Sequence, residues 1–201
     1  MTEQSTLERA VALLTAGRPA VFPTDTVYGI GVAVGLSATP HVLYEIKQRD
    51  SDKAIPWLVG RETALKLYGQ DVQPYVFTLA QKFWPGPLTI IVKAADNVPA
   101  AFQAENGTIA LRMPNDSLAL KLINMVGFPL ATSSANLQGE KPPASLAEVD
   151  ERILSQVSAF IGDENPREGV SSTVIDCSGE EIRVLREGPI SLDDLLQAIQ
   201  G

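Results

Sequence analysis

The chain has 201 residues, of which 45% are hydrophobic and 20% are charged, a composition that is ordinary for one globular domain. Its 24 acidic and 16 basic residues give a formal net charge of -8, so the surface as a whole repels polyanions, and broad nonspecific nucleic-acid binding is not expected. No segment approaches the roughly 20 consecutive apolar residues that span a bilayer, which excludes a helical membrane protein.

The first half of the chain alternates between helical and extended patterns. Apolar periodicity predicts a helix over 7–14, and a strand over 20–22 follows. Thr39 and Pro40 suit the start of a second helix, which ends in the basic segment 47–49. The pattern then predicts a strand over 55–59, a helix around 65, a helix over 74–83 and a strand over 88–92.

The second half continues this alternation. It predicts a strand over 108–111, a helix over 118–126 that stops at Gly127, a strand over 130–132, a helix near 146–154 and strands near 159, 173 and 182. Ser191, with Asp194 three residues later, begins a last helix. The alternation indicates α/β architecture, and we expect a single domain over 1–201 with its core at about 5–190.

Several enzyme classes can be excluded from the residue inventory. There is no G-x-x-x-x-G-K-[ST] phosphate loop, and the spacing of Gly29, Gly31 and Gly35 does not match a dinucleotide fingerprint. His41 is the only histidine and Cys177 the only cysteine, so one chain cannot assemble a Cys/His zinc site, and a Ser-His-Asp hydrolase has no G-x-S-x-G elbow. A lone cysteine also suits a reducing compartment, and we expect a cytoplasmic protein.

Basic side chains gather at three places where an element ends. Lys47 and Arg49 are followed by Lys53, while Arg112 and Arg186 each end a predicted strand. Such groups can bind phosphate or carboxylate, and arginine does so through two parallel hydrogen bonds. The alternative is that they are ordinary surface residues, the first group being stabilised by a helix C-terminus.

Five short stretches place hydroxyls, amides, glycines or cations at predicted turns, where binding residues are commonly found. They are Pro23-Thr24-Asp25-Thr26-Val27-Tyr28-Gly29-Ile30-Gly31, Lys47-Gln48-Arg49, Trp84-Pro85-Gly86-Pro87-Leu88-Thr89, Ser133-Ser134-Ala135-Asn136 and Ser172-Thr173-Val174-Ile175-Asp176. Together they resemble the YrdC/TsaC/YciO family of threonylcarbamoyl-AMP synthases, over about residues 20–190. The resemblance implies a YrdC-like twisted, open mixed sheet with flanking helices and a basic cavity.

The same resemblance implies roles for individual residues. Lys47 and Arg49 are the implied catalytic pair. The residues assigned to ATP are Arg49, Lys53, Thr108, Asn136 and Arg186. The residues assigned to threonine are Thr26, Arg112, Ser134 and Ser172, and the pocket is lined by Thr24 and Tyr28.

The implied reaction joins L-threonine, bicarbonate and ATP into threonylcarbamoyl-AMP and releases pyrophosphate. Because no strong nucleophile stands out, we expect catalysis by placing the reactants in line and stabilising charge. Mg²⁺ is expected with ATP, held by phosphates and water instead of a protein cage. The implied partner is a tRNA threonylcarbamoyltransferase, which modifies the adenosine beside the anticodon of certain tRNAs.

Two departures from the family pattern keep an alternative open. Many members have Lys-Pro-Leu where this chain has Lys53-Ala54-Ile55, and the usual E-S-T appears as Ser171-Ser172-Thr173. The chain also resembles the short form of the family, which lacks an extra C-terminal domain and includes the YciO paralogues. The alternative is therefore a YciO-like protein that binds nucleotide, double-stranded RNA or tRNA with weak or different catalysis. An RNA-binding module needs a basic surface, so the net charge favours the synthase.

Overall fold

A computed structural model describes residues 3–37, 39–48, 55–157, 159–165 and 167–200. The described residues form seven α-helices and nine β-strands. In chain order these are α1 (Glu3–Thr15), β1 (Ala20–Phe22), β2 (Gly29–Ala33), α2 (His41–Lys47), β3 (Trp57–Leu58), α3 (Ala64–Tyr68), β4 (Gly69–Gln70), α4 (Pro74–Phe83), β5 (Leu88–Ala94), β6 (Thr108–Arg112), α5 (Ser117–Val126), β7 (Leu130–Ser134), α6 (Glu151–Leu154), β8 (Thr173–Asp176), β9 (Arg183–Arg186) and α7 (Leu192–Gln200).

The nine strands belong to one mixed sheet. Its order is β1-β2-β7-β3-β6-β5-β8-β9, and β4 pairs only with β5. The pairs β3/β6 and β5/β8 are parallel, while the other pairs are antiparallel. The predicted α/β class, with an open mixed sheet and flanking helices, is confirmed.

The helices cover the two faces of this sheet unequally. On one face α2, α3, α4 and α7 contribute to a large core that contains the buried side chains of Trp57, Ile90 and Leu111. On the other face α1 and α5 pack over the β1-β2-β7-β3 half of the sheet, around Phe22 and Leu122. The β6-β5-β8 half of this second face carries the cavity described below.

Helices α5 and α7 end or begin with the predicted chemistry, whereas α2 begins one residue later than predicted, with Pro40 instead of Thr39 at the N-cap position. The Thr39 hydroxyl accepts a hydrogen bond from His41 N at 2.9 Å at the start of α2. Asp116 caps α5 by accepting from Ala119 N at 2.8 Å, and Gly127 ends that helix in the left-handed region with φ 78°. The Ser191 and Asp194 side chains bond reciprocally to each other's backbone N–H groups, which is the predicted capping box.

Strand β2 was not predicted, because Gly29 and Gly31 made this stretch look like a turn. Both glycines are needed for packing: a Cβ at either position would lie 2.7 Å from a side-chain atom of Thr132 on the neighbouring strand β7. Close approach of two strands therefore explains these glycines, although glycine weakens an isolated strand.

The helix predicted over 146–154 is wrong as one element. The chain forms a 3₁₀ turn at Leu146–Glu148 and then restarts as the short helix α6. Asp150 interrupts them in a non-helical conformation, and its carboxylate accepts a hydrogen bond from Arg152 N at 2.7 Å. The strand predicted near 159 is reduced to a single bridge between Phe160 and Val21.

Within the described ranges, no helix combines the length and the apolarity needed to cross a membrane. Cys177 lies in the large core with 4% of its surface exposed, and burial raises the pKa of its thiol to about 12. The cysteine is therefore a neutral packing residue at physiological pH.

We expect Thr173→Val to destabilise the fold by about 1–3 kcal/mol, because it leaves two buried backbone groups unpaired. The buried Thr173 hydroxyl donates to Ile190 O at 2.8 Å and accepts from Ile190 N at 3.0 Å. Urea unfolding measures the change. The matched control Thr78→Val alters an exposed residue of α4 and should shift stability by less than about 0.5 kcal/mol. Equal unfolding midpoints for the two variants would contradict this prediction.

Candidate functional site

A cavity of about 470 Å³ lies against strands β6, β5 and β8, reaches β9 on one side and β3, β7 and the start of β2 on the other, and extends to the neighbouring loops. Its wall combines hydroxyl side chains, two guanidinium groups and several aliphatic side chains. The structure brings together six of the twelve residues that the sequence assigns to the site, namely Thr24, Thr26, Arg112, Ser134, Ser172 and Arg186.

The loop between β1 and β2 is organised by its own hydroxyls. Thr24 Oγ1 accepts from the backbone N–H groups of Thr26 and Val27 and donates to Val27 O at 2.6 Å. The hydroxyl oxygens of Thr24 and Thr26 lie 3.1 Å apart. Gly169 N donates to Thr26 O at 2.9 Å, which ties the loop to the segment that leads into Ser172. The two threonines are thus held rigidly at the cavity wall.

Arg112 ends β6 and is only 6% exposed. Its Nε donates to Gly86 O at 3.1 Å, its Nη1 to Thr26 Oγ1 at 2.9 Å and its Nη2 to Asp25 Oδ1 at 2.5 Å. The last contact is an ion pair between two largely buried side chains. Two separate turns therefore fix the orientation of this guanidinium group.

Ser172 and Arg186 are joined across the β8/β9 pair. The hydroxyl of Ser172 lies 2.8 Å from Thr89 Oγ1 and accepts from Arg186 Nη2 at 3.1 Å. Arg186 Nε also donates to Ser172 O at 3.0 Å. Gly188 permits this arrangement, because a Cβ there would lie 2.3 Å from Thr173 N.

The loop after β7 is held by a buried lysine. Lys47 is 3% exposed, and its ammonium group donates to Ser134 O and, at 2.5 Å, to Asn136 O. The Asn136 amide donates to Leu137 O at 2.8 Å and Glu140 O at 2.7 Å. Asn136 Oδ1 is buried and has no hydrogen-bond partner among the described residues.

Four predicted residues are described but do not line the cavity: Lys47, Thr108, Asn136 and Tyr28. Thr108 points to the same face of β6 as Ala110 and Arg112, which line the cavity, and it lies two residues before Ala110. Its hydroxyl donates to Asn106 Oδ1 at 2.7 Å. The placement of Tyr28 in the wall requires correction, because its fully buried ring belongs to the large core on the opposite face.

Arg49 and Lys53 lie outside the described residues. The predictions that they are catalytic or contact ATP therefore stay predictions.

The cavity attracts anions. Burial, and then the positive charge of Arg112, lowers the pKa of the Arg186 guanidinium from its ordinary value. The second cause arises because two cations face the same space. Asp25 neutralises Arg112, whereas Arg186 donates to the carbonyl and hydroxyl oxygens of Ser172, which carry no charge. An anionic ligand would therefore offset the desolvation of Arg186.

An aliphatic surface continues from this polar end. It comprises Ile91, Ala110 and Val174 on three adjacent strands and Leu185, which is 57% exposed. The small side chain of Ala110 leaves room above the sheet. The cavity therefore suits an elongated ligand with an anionic part near the arginines and a flat apolar part along the strands.

Sequence reasoning assigns no role to five polar residues of this site. Thr89, Thr132, Ser133 and Ser171 line the cavity, and Asp25 pairs with Arg112 beside it. The available signal for Thr89 is its alternation with the core residues Leu88 and Ile90 along β5.

The described residues contain no group of three His, Cys, Asp or Glu side chains that could hold a metal ion. Asp25, the carboxylate paired with cavity-lining Arg112, already forms an ion pair.

A second cavity, of about 340 Å³, lies beside α3 and the end of α5. Arg61 is the one charged residue among those that line it, and Leu67 and Phe128 form exposed apolar parts of its wall. None of the predicted site residues reaches it, so the 470 Å³ cavity is the candidate functional site.

Comparison with known proteins agrees with this geometry. The Sua5/YciO/YrdC family model, whose description reads "Telomere recombination", matches residues 12–188. A Pyrococcus abyssi (strain GE5 / Orsay) protein named threonylcarbamoyl-AMP synthase is 32% identical over 198 residues, which is 98% of this chain. The chain spans 58% of the length of that relative.

Two solved structures are similar along nearly the whole chain. The crystal structure of P. abyssi Sua5 complexed with L-threonine has a TM-score of 0.91 at 31% identity and covers 99% of this chain and 58% of its own. The crystal structure of E. coli YciO has a TM-score of 0.84 at 25% identity and covers 96% of this chain and 94% of its own. The polar cavity, the sheet and these matches together show that the chain belongs to the Sua5/YciO/YrdC family.

Proposed function

We propose that the protein is an L-threonylcarbamoyladenylate synthase, a nucleotidyltransferase that forms threonylcarbamoyl-AMP and pyrophosphate from L-threonine, bicarbonate and ATP. The observation that carries this proposal is the convergence of Arg112, Arg186 and a set of hydroxyls on one elongated cavity. The name of the P. abyssi relative and the threonine bound to P. abyssi Sua5 support it.

Threonine would bind at the polar end of the cavity. Arg112 would pair with its carboxylate, and the hydroxyls of Thr26, Ser134 and Ser172 would hydrogen-bond its polar atoms. Thr24 contributes by holding Thr26 in place. The Ser172 hydroxyl already bridges Thr89 and Arg186, so it links the threonine end to the nucleotide end.

ATP would lie along the uncovered sheet face. Arg186 would bind phosphate, and the aliphatic surface over Ala110 and Val174 would pack against the base, in the direction of Thr108. We further propose that Asn136, in the loop after β7, belongs to the nucleotide end of the site. We further propose that Arg49 and Lys53 contact the phosphates.

We also propose that Lys47 contributes to catalysis together with Arg49. Its ammonium group is anchored by the carbonyls of Ser134 and Asn136, so it places a buried positive charge behind the loop after β7. Such a fixed charge favours the negative charge that develops on a leaving pyrophosphate.

The reaction is written as two steps. Bicarbonate breaks a C–O bond to give CO₂ and hydroxide, and the neutral amine of threonine forms a C–N bond to the carbon of CO₂. The proton that the amine loses converts the hydroxide to water and leaves a carbamate. A carbamate oxygen then attacks the α-phosphorus of ATP, the bond between this phosphorus and the bridging oxygen breaks, and pyrophosphate leaves with the electron pair. The protein contributes placement of the two substrates in line and fixed positive charge, since no covalent intermediate is needed.

Mg²⁺ would accompany ATP and neutralise charge on its phosphates, bound through phosphate oxygens and water. We propose that the product passes to a tRNA threonylcarbamoyltransferase and that both proteins act in the cytoplasm.

A second candidate is a YciO-like paralogue that binds nucleotide, double-stranded RNA or tRNA with weak or different catalysis. The similarity to E. coli YciO over 94% of that chain favours it, as does Ser171 in place of an expected glutamate at the cavity wall. Both candidates use the same cavity, so an assay must separate them.

We expect purified protein with ATP, Mg²⁺, bicarbonate and threonine to release pyrophosphate and to form threonylcarbamoyl-AMP, identified by mass spectrometry. Release should fall to background without threonine or without bicarbonate, because the attacking carbamate is then missing, and serine should be a poorer substrate. ATP binding without threonine-dependent pyrophosphate would refute the synthase and favour the paralogue. Salt-sensitive binding of a double-stranded RNA probe would further support that outcome.

Arg186→Lys should raise the KM for ATP by about tenfold or more, because lysine keeps the charge but loses the planar pair of donors that binds phosphate. Arg183→Lys is the matched control: it lies three residues earlier on β9, and its exposed side chain pairs with Asp176. Steady-state kinetics of both variants provide the measurement. Indistinguishable KM values for ATP would remove Arg186 from the nucleotide site.

A further inference from the structure

Arg112 is held by hydrogen bonds from all three of its guanidinium nitrogens. A guanidinium has five N–H donors, and three hydrogen bonds to acceptors in the described chain are present at Arg112: to Gly86 O, to Thr26 Oγ1 and to Asp25 Oδ1. Gly86 O and Thr26 Oγ1 are neutral acceptors. Among the three acceptors, only that of Asp25 is a carboxylate oxygen. Asp25 lies beside the cavity and is not one of the residues that line it.

We propose that Asp25 is a positioning residue for amino-acid recognition: it orients the Arg112 guanidinium so that its remaining N–H groups face the carboxylate of threonine. This inference rests on the proposed function, because it assumes that Arg112 binds threonine. Asp25 would act through Arg112 and would not itself touch either substrate.

The backbone on both sides of Asp25 is suited to this role. Thr24 is fixed through its hydrogen bonds to Val27, and Thr26 through the hydrogen bond from Gly169 N to its carbonyl oxygen. The carboxylate between them therefore has a preset position, and its side chain is 11% exposed. A rigid acceptor lowers the conformational cost of holding a long arginine side chain at the instant of binding.

Charge gives a second reason for the pair. Without Asp25, Arg112 would be a buried cation with no counterion, close to a second cation, Arg186. The charge of Arg112 already contributes to the lowered pKa of Arg186. The pair removes that repulsion in the free protein, so Arg112 can stay in the cavity before any substrate arrives. Threonine then meets an arginine whose direction is already set.

The test compares Asp25→Asn, which removes the charge but keeps the shape, with Asp96→Asn as a control. Asp96 is an exposed residue in the turn after β5, and its substitution changes net charge equally. Asp25→Asn should weaken threonine binding, measured by calorimetry, by about tenfold or more and change ATP binding by less than about twofold. Asp96→Asn should change neither.

A double-mutant cycle with Arg112→Lys tests whether Asp25 works through Arg112. In the Arg112→Lys background, Asp25→Asn should have less than about a twofold further effect on threonine binding, because the two residues act as a unit. Fully additive effects would overturn the proposal. Equal losses of threonine and ATP binding by Asp25→Asn would also overturn it, because they indicate a general structural role.

Two arms keep the test decisive. If Asp25→Asn does not fold, Asp25→Glu keeps the charge but displaces the carboxylate by one methylene, and a selective loss of threonine binding is still expected.

If the unmodified protein binds no threonine, the proposed function fails. The Arg112 Nε–H resonance of ¹⁵N-labelled protein then tests separately whether Asp25 positions the Arg112 guanidinium. A sharp signal that broadens in Asp25→Asn supports the claim, and an unchanged signal overturns it.

Discussion

A guanidinium group can be buried only where hydrogen-bond acceptors surround it, and the need to supply these acceptors to Arg112 determines the arrangement of the site. Its acceptors come from the loop before β2 and from the turn before β5, which are far apart in the sequence. Both segments must therefore converge on the end of β6. The same convergence brings the hydroxyl of Thr26 and the strand that carries Thr89 to one cavity.

The cavity lies where the helices of the described chain leave part of one sheet face uncovered. Helices α1 and α5 close the β1-β2-β7-β3 half around Phe22, whereas β6, β5 and β8 present Ala110, Ile91 and Val174 to the cavity. Polar groups gather where the strands end, and aliphatic groups lie along the strands. In the proposed synthase, the threonine and nucleotide ends of the cavity would therefore follow one another along the sheet, with Ser172 at their junction.

Local chemistry made much of this structure predictable. Apolar periodicity and caps located α1, α4, α5 and α7, because these signals act within one turn of helix. The family resemblance supplied six cavity residues. Contacts between segments that are distant in the sequence leave no such local signal. The glycines of β2 are explained by Thr132 on a neighbouring strand, so the sequence alone makes this strand look like a turn. The role of Asp25 likewise depends on Arg112, which is 87 residues away.

The contact between β2 and β7 ties the evolution of three positions together. Gly29 and Gly31 have no side chain because Thr132 occupies the space that a Cβ would need, and the same Thr132 lines the cavity. A side chain gained at position 29 would have to be matched by a smaller residue at position 132, and one gained at position 31 would also have to displace the Ala131 carbonyl and the Phe22 ring. In related sequences these positions should therefore change together. The packing of β2 against β7 thus limits which side chains position 132 can contribute to the cavity wall.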